Sequence, residues 1–188
     1  MNVLCTGNPY KDDFLKIFNS LSSFFKDSKN DFYADLNLKD FIKNNKIQYD
    51  SLYKPKNRID FVISLGGDGS MLKAVSSMKS NQIPLLGIHI GQLGFLNQVS
   101  RDNYLQSLKK ILILDKIEIK KHFLLNAKIY NKSKLIHKLS SLNDFAINQI
   151  KYSRLLKMDV SVNNTLLNRY NCDGLIVSSP LGSTAYSL

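Results

Sequence analysis

The stretch Ile59-Asp60-Phe61-Val62-Ile63-Ser64-Leu65-Gly66-Gly67-Asp68-Gly69-Ser70-Met71-Leu72 decides the fold. Its first seven residues are mostly β-branched or apolar, as a buried strand requires, and the run stops at Gly66. Met71, Leu72, Val75 and Met78 then recur at helical spacing. Strand, glycine turn and helix in that order are the opening of a βαβ unit on a parallel sheet. The neighbouring sequence agrees. Val3-Leu4-Cys5 reads as a strand, Phe14, Leu15, Phe18, Leu21, Phe24 and Phe25 as a helix, and Pro84-Leu85-Leu86-Gly87-Ile88 as a second buried strand.

After an expected helix near 102–110 the texture changes to strands at 115–120, 123–130, 134–147, 156–162 and 174–178. Asn131-Lys132-Ser133 and Asn163-Asn164 separate them with turn chemistry. The expected architecture is therefore an α/β domain with a parallel sheet over 1–100. An incomplete, β-rich, sandwich-like domain follows over 101–188, with the boundary near Ser100.

Composition narrows the function classes. With 188 residues, 44% hydrophobic and 22% charged, the chain is an ordinary globular sequence rather than a disordered tail. At this size roughly 70% of the unfolded surface is buried on folding. Cys5 and Cys172 have no CxxC or Cys/His spacing, which argues against a zinc site and a disulfide scaffold and for a reducing cytoplasm. No apolar run is long enough for a membrane span, and the N-terminus has no signal-peptide pattern. The net charge of +11 favours polyanionic partners, among them nucleic acid, membrane surface and phosphorylated small molecules. RNA binding would call for aromatics interleaved with a basic stripe, and none is visible. His89, His122 and His137 are not spaced as a metal set.

Four segments carry chemistry. In Gly66-Gly67-Asp68-Gly69-Ser70 the glycines let backbone approach a ligand, and free N–H groups at the helix start suit phosphate. The alternative is a plain turn in which Asp68 or Ser70 caps the helix. Neither GxxxxGK[ST] nor GxGxxG is present. Asp68, a carboxylate among glycines, is placed to accept a proton from a substrate hydroxyl. Lys73, about 1.4 turns on, is placed to reach a phosphate or to sit solvated. Gly91-Gln92-Leu93-Gly94-Phe95-Leu96 is a second glycine turn. Leu142-Asn143-Asp144-Phe145 puts an amide beside a carboxylate in an apolar strand pattern, so one of the two faces a pocket or both sit on a polar edge. The fourth segment, 173–186, is a strand ending at Pro180 and a small-residue turn.

In this order the segments resemble the NAD kinase family: GGDGS at 66–70, GQLGFL at 91–96, LND at 142–144 and DGLIVSSPLGSTAYSL at 173–188. The likeness runs from about residue 60 to the last, while 1–58 add nothing to it. It implies phosphorylation of the adenosine-ribose 2′-hydroxyl of NAD, with ATP or polyphosphate as donor and a divalent metal such as Mg²⁺, giving NADP. It further implies Asp68 as proton acceptor, with Gly69 beside the dinucleotide. Phosphate binding by Gly66, Gly67, Gly69 and Lys73 is expected from the turn itself. Asn143 and Asp144 match the family's Asn-Glu pair that holds NAD, here with the shorter acid. Asp173 matches a nicotinamide-side carboxylate, and Thr184, Ala185, Tyr186, Ser187 and Leu188 match the adenine-side turn. Arg154 falls where many members carry a basic residue or His. Asn171 departs from a frequent Arg, and Leu181 from a frequent Thr or Ser.

The motif is cut at Leu188, as expected of a fragment with weak activity of its own. Exposed apolar edge surface would favour a homo-oligomer. A lipid kinase sharing the GGDG loop and a catalytically inactive NAD-binding fragment are the alternatives. No nucleic-acid or membrane partner is expected.

Overall fold

The computed structural model describes residues 1–28, 30–43, 46–79, 81–91, 94–97, 99–113, 119–150 and 155–185. The chain divides into two compact units, Met1–Lys121 and His122–Leu188.

The first unit contains β1 (Asn2–Gly7), α1 (Phe14–Lys26), β2 (Asp31–Asp35), β3 (Gln48–Asp50) and β4 (Phe61–Gly66). It continues with α2 (Asp68–Met78), β5 (Leu85–His89), β6 (Val99–Ser100) and α3 (Tyr104–Ile113). Its strands form one parallel sheet in the order β3-β2-β1-β4-β5-β6. Alternation along the strands sorts the core onto two faces. Val3, Cys5, Ile63 and Leu65 pack with Phe14, Phe18, Leu21 and Phe25 of α1 and with Tyr104 and Leu108 of α3. Leu4 and Val62 pack with Ala74 and Met78 of α2. Helices therefore cover both faces, and the strands read as near-continuous apolar runs for that reason.

Helix α1 forms because its buried residues recur every three or four positions. Phe18 and Phe25 meet Phe32 of β2 with ring centroids 5.5 and 5.2 Å apart. Truncating such a ring typically costs about 3–5 kcal/mol.

The unit extends past Ser100 to Lys121, not ending near Ser100 as the sequence suggests. The reason is α3, whose Tyr104 and Leu108 complete the core against the sheet. Strands β2, β3 and β6 are additions to the sequence reading. Polar Asp50 ends β3 and organises the loop behind it. Its buried carboxylate accepts hydrogen bonds from the backbone N–H groups of Ser51, Lys56 and Asn57 and from Asn57 Nδ2.

The second unit is antiparallel and β-rich. Its strands β7 (Leu125–Asn131), β8 (Lys134–Ser141), β9 (Asp144–Asn148), β10 (Leu156–Val162), β11 (Thr165–Cys172) and β12 (Gly174–Ser178) pair as β7-β8, β9-β12 and β10-β11. Both expected turns are present, with positive φ at Lys132-Ser133 and Asn163-Asn164, the left-handed pair of a two-residue hairpin. The single strand expected over 134–147 is divided at Leu142-Asn143, and β11 is an addition. Most of the strand expected at 115–120 lies outside the described residues.

Candidate functional site

Chain order reverses across the sheet at the β1/β4 junction, the place where open α/β sheets bind ligands beyond the carboxyl ends of their strands. Both strands end there in glycines with positive φ, Gly7 at +153° and Gly66 at +145°. A Cβ on Gly7 would overlap the Leu65 carbonyl, and one on Gly66 would strike Ser70 Oγ, so the two turns close only with glycine. Asn8 N–H donates to Leu65 O at 2.9 Å and ties the turns together.

Asp68 is the first residue of α2, and its half-buried carboxylate does not cap that helix. It is held by the second glycine segment. Phe95 N–H donates to Oδ2 at 2.7 Å, Leu96 N–H to Oδ1 at 3.1 Å, and Asn97 Nδ2 to Oδ1 at 3.4 Å. Asn97 is buried, and its Nδ2 also donates to the Gly66 carbonyl at 3.3 Å. Gly94 passes so close that a Cβ on it would overlap the Asp68 carboxyl group. Three donors on two oxygens leave acceptor capacity for an incoming hydroxyl. The N–H groups of Asp68 and Gly69 belong to the first turn of α2, which supplies no intrahelical acceptors for them.

A cleft of about 470 Å³ opens beside the turn, walled in part by Gly7, Asn8, Asp35, Gly67, Gly69 and Lys73. Asp35 ends β2 and is buried. Its Oδ2 accepts from Thr6 Oγ1 at 2.8 Å and from Asn37 Nδ2 at 3.2 Å. Burial, followed by the charge of Asp35, pushes the thiol of Cys5 well above its ordinary range.

In the second unit the chain after β12 folds back onto Leu142-Asn143. Buried Ser179 donates its Oγ hydrogen to Leu142 O at 2.6 Å and its N–H to Asn143 O at 2.7 Å, while Gly182 N–H donates to Ser179 Oγ at 3.0 Å. These carbonyls serve the turn instead of a ladder, which is why the long strand breaks there. Gly182 lies against the Asn143 backbone with no room for a side chain.

Asn143 and Asp144 are thus gathered with the 179–185 turn, where Thr184 and Ala185 are exposed. Asp173 is not among them. Asp144 pairs with Ser178 and Asn148 with Gly174, so Asp173 stands at the other end of β12, about 17 Å from Ser178 at strand rise. There Gln149 Nε2 donates to its Oδ1 at 2.8 Å. Arg154, Tyr186, Ser187 and Leu188 lie outside the described residues.

Of the phosphate-binding candidates, Gly67, Gly69 and Lys73 line the cleft, whereas Gly66 is buried behind them. Sequence reasoning does not single out Asn8, Asp35 or Asn97. Only Asn97 had a local signal, standing directly after the second glycine motif.

These features define a doubly wound α/β domain with a glycine-flanked carboxylate at its switch point, followed by a β-rich unit. Solved structures share this fold. Yeast NADH kinase, complexed with NADH, aligns with a TM-score of 0.84 over 100% of this chain and 60% of its own, at 22% identity. The NAD kinase of Archaeoglobus fulgidus in complex with ATP aligns with a TM-score of 0.70 over 100% and 64%, also at 22% identity. Residues 8–117 match the ATP-NAD kinase N-terminal domain and 142–188 the ATP-NAD kinase C-terminal domain, and the chain belongs to this family.

The NAD kinase of Lachnospira eligens is 38% identical over 132 residues, 70% of this chain and 45% of that protein. That of Saccharophagus degradans is 32% identical over 168 residues, 89% and 57% respectively. The chain spans about half the length of the curated relatives it matches. The family match begins at residue 8, well before the quoted motifs.

Proposed function

We propose that the chain is the catalytic part of an NAD kinase, transferring the terminal phosphoryl group of ATP to the adenosine-ribose 2′-hydroxyl of NAD. The observation that carries this reading is the fixed carboxylate of Asp68 at the start of α2, clamped by the Phe95, Leu96 and Asn97 donors. A phosphoryl transfer needs little from a protein beyond positioning and charge stabilisation. Asp68 accepts the hydroxyl proton as the oxygen attacks phosphorus, and the leaving diphosphate carries the electron pair away. The first N–H groups of α2, at Asp68 and Gly69, together with Lys73, stabilise the phosphate oxygens.

Asn143, Asp144, Arg154 and the turn Thr184-Ala185-Tyr186-Ser187-Leu188 hold the adenosine side of NAD, and Asp173 the nicotinamide side. The separation of Asp173 from Asn143 along β12 suits the two ends of an elongated dinucleotide.

Among the described residues no group of three or more His, Cys, Asp or Glu is placed to hold a metal. A divalent metal such as Mg²⁺ would arrive carried on the donor's phosphates, since this ion is commonly held by one or two carboxylates plus substrate phosphates. When bound it offsets phosphate charge.

No described helix is long and apolar enough to cross a membrane. The free cysteines Cys5 and Cys172 support a cytoplasmic location, and exposed Ile129, Tyr130, Leu135, Ile136 and Leu139 on β7 and β8 support assembly into a homo-oligomer. The surplus of positive charge attracts the two polyphosphate ligands rather than nucleic acid.

The test is to incubate the purified chain with ATP and NAD and follow NADP by mass spectrometry, with diacylglycerol as a competing acceptor. NADP is the expected product. Phosphorylated lipid without NADP would overturn the reading.

A further inference from the structure

The β9-β12 ladder ends at the Asp144–Ser178 pair, so Asn143 and Ser179 are the first residues beyond it on their two strands. Ser179 is 1% exposed, and all its polar groups serve this junction. Its N–H donates to Asn143 O at 2.7 Å and its Oγ hydrogen to Leu142 O at 2.6 Å. In the other direction its Oγ accepts from Gly182 N–H and its carbonyl from Ser183 N–H, both at 3.0 Å. Two bonds thus face back to the Leu142-Asn143 break, and two face forward into the short turn Gly182–Thr184. The hydroxyl serves both sides at once, which a serine side chain can do because one atom donates and accepts. Pro180 follows with no N–H to extend the ladder, and Ser183 Oγ closes the turn on the Pro180 carbonyl at 2.9 Å. Gly182 completes the fit, since a Cβ on it would overlap the Asn143 carbonyl.

We infer that Ser179 is a positioning residue for the dinucleotide: its hydroxyl holds the Asn143-Asp144 segment and the Thr184-Ala185 turn in one arrangement and so sets the affinity for NAD. The inference rests on the kinase reading and deepens it, because it names the group that joins two segments of the acceptor site lying far apart in the chain. Ser179 acts without touching the ligand. A side chain 1% exposed, with its hydrogen and an oxygen lone pair already engaged, presents no surface to a nucleotide. Its effect passes through its neighbours, since binding groups keep their placement to within about 0.5 Å only when their own supports are fixed.

Calorimetric titration with NAD and with ATP, beside steady-state NADP formation, tests this on the unchanged chain, Ser179→Ala and Ser179→Thr. Alanine keeps the N–H bond to Asn143 and removes both hydroxyl bonds. It should weaken NAD binding by about tenfold and raise the Michaelis constant for NAD by a similar factor. ATP affinity, and kcat at saturating NAD, should stay within about twofold. Threonine keeps the hydroxyl and should bring NAD affinity back to within about threefold of the unchanged chain. Added to Asn143→Ala, the alanine change should weaken NAD by only about threefold more, because a residue that works through Asn143 then has less to position.

A serine that matters to folding alone gives a different signature, a lower kcat from a smaller folded fraction with unchanged Michaelis constants, and that result would overturn the inference. Equal losses for NAD and ATP, or a threonine variant no better than the alanine one, would overturn it too. If Ser179→Ala does not fold, Gly182→Ala gives the readout: it keeps the hydroxyl, pushes the turn off Asn143, and should show the same NAD-selective loss. Ser179-dependent NAD binding in a chain that forms no NADP would keep the inference and refute the kinase reading. NADP formation with NAD affinity indifferent to Ser179 would do the reverse.

Discussion

Replacing Gly94 with alanine should cripple turnover and spare the fold. A Cβ at this position would lie 2.5 Å from Oδ2 of Asp68 and nearer still to the rest of its carboxyl group, whereas ordinary contact begins near 3.4 Å. Either the carboxylate or the loop must move by about 1 Å, and a displacement of that size at a reacting group costs on the order of 10²-fold in rate. That is about 2.7 kcal/mol of barrier. Stability should change by only about 0.5 kcal/mol, because Gly94 has no left-handed backbone to lose and its neighbour Phe95 is 90% exposed. The assay is NADP formation from NAD and ATP, read through an NADP-specific dehydrogenase, with thermal unfolding of each protein alongside. Undiminished turnover in Gly94→Ala would refute the idea that carboxylate position governs the rate.

Asn143→Ala should raise the Michaelis constant for NAD by about tenfold and leave that for ATP nearly unchanged, because the Asn143 carbonyl still receives Ser179 N–H and the turn stays docked. The opposite ranking would make Asn143 a donor-site residue. Asp50 gives an acid limb to the stability curve: burial raises its carboxyl group, but the hydrogen bonds from Lys56, Asn57 and Ser51 outweigh burial and hold it below its ordinary 3.8. Its contribution is therefore full above the ordinary value and lost as pH falls through the lowered one, so urea midpoints of the unchanged chain should fall more steeply than those of Asp50→Asn in that window. In alkylation at mildly alkaline pH followed by mass spectrometry, half-buried Cys172 should label in the native chain and Cys5 only after unfolding, since burial and Asp35 hold its thiol protonated.

What could be read in the sequence was what local chemistry fixes. The run into Gly66-Gly67-Asp68 announces strand, turn and helix, because only glycine closes that turn and the apolar period changes there from strand to helix. The hairpin turns at 132–133 and 163–164 were legible for the same reason. Features settled by distant partners were not legible. Leu142-Asn143 has the composition of a strand interior, and only the approach of Ser179 turns its carbonyls out of the ladder. Asn8, Asp35 and Asn97 acquire meaning from the β1/β4 junction, which brings together segments up to 89 positions apart. Asp173 sits in the same motif as the Thr184 turn, yet strand geometry carries it to the opposite end of β12.

The central claim is that Asp68 accepts the proton in phosphoryl transfer. The direct test compares initial rates of NADP formation by the unchanged chain and by Asp68→Asn, with NAD binding measured on both. Asparagine still offers one oxygen to the Leu96 and Asn97 donors, gives up the Phe95 bond, and cannot take the hydroxyl proton. The account predicts NAD affinity within about twofold and a rate lower by 10²–10⁴-fold, the usual contribution of a positioned base. A rate loss of only about twofold, with binding intact, would contradict it.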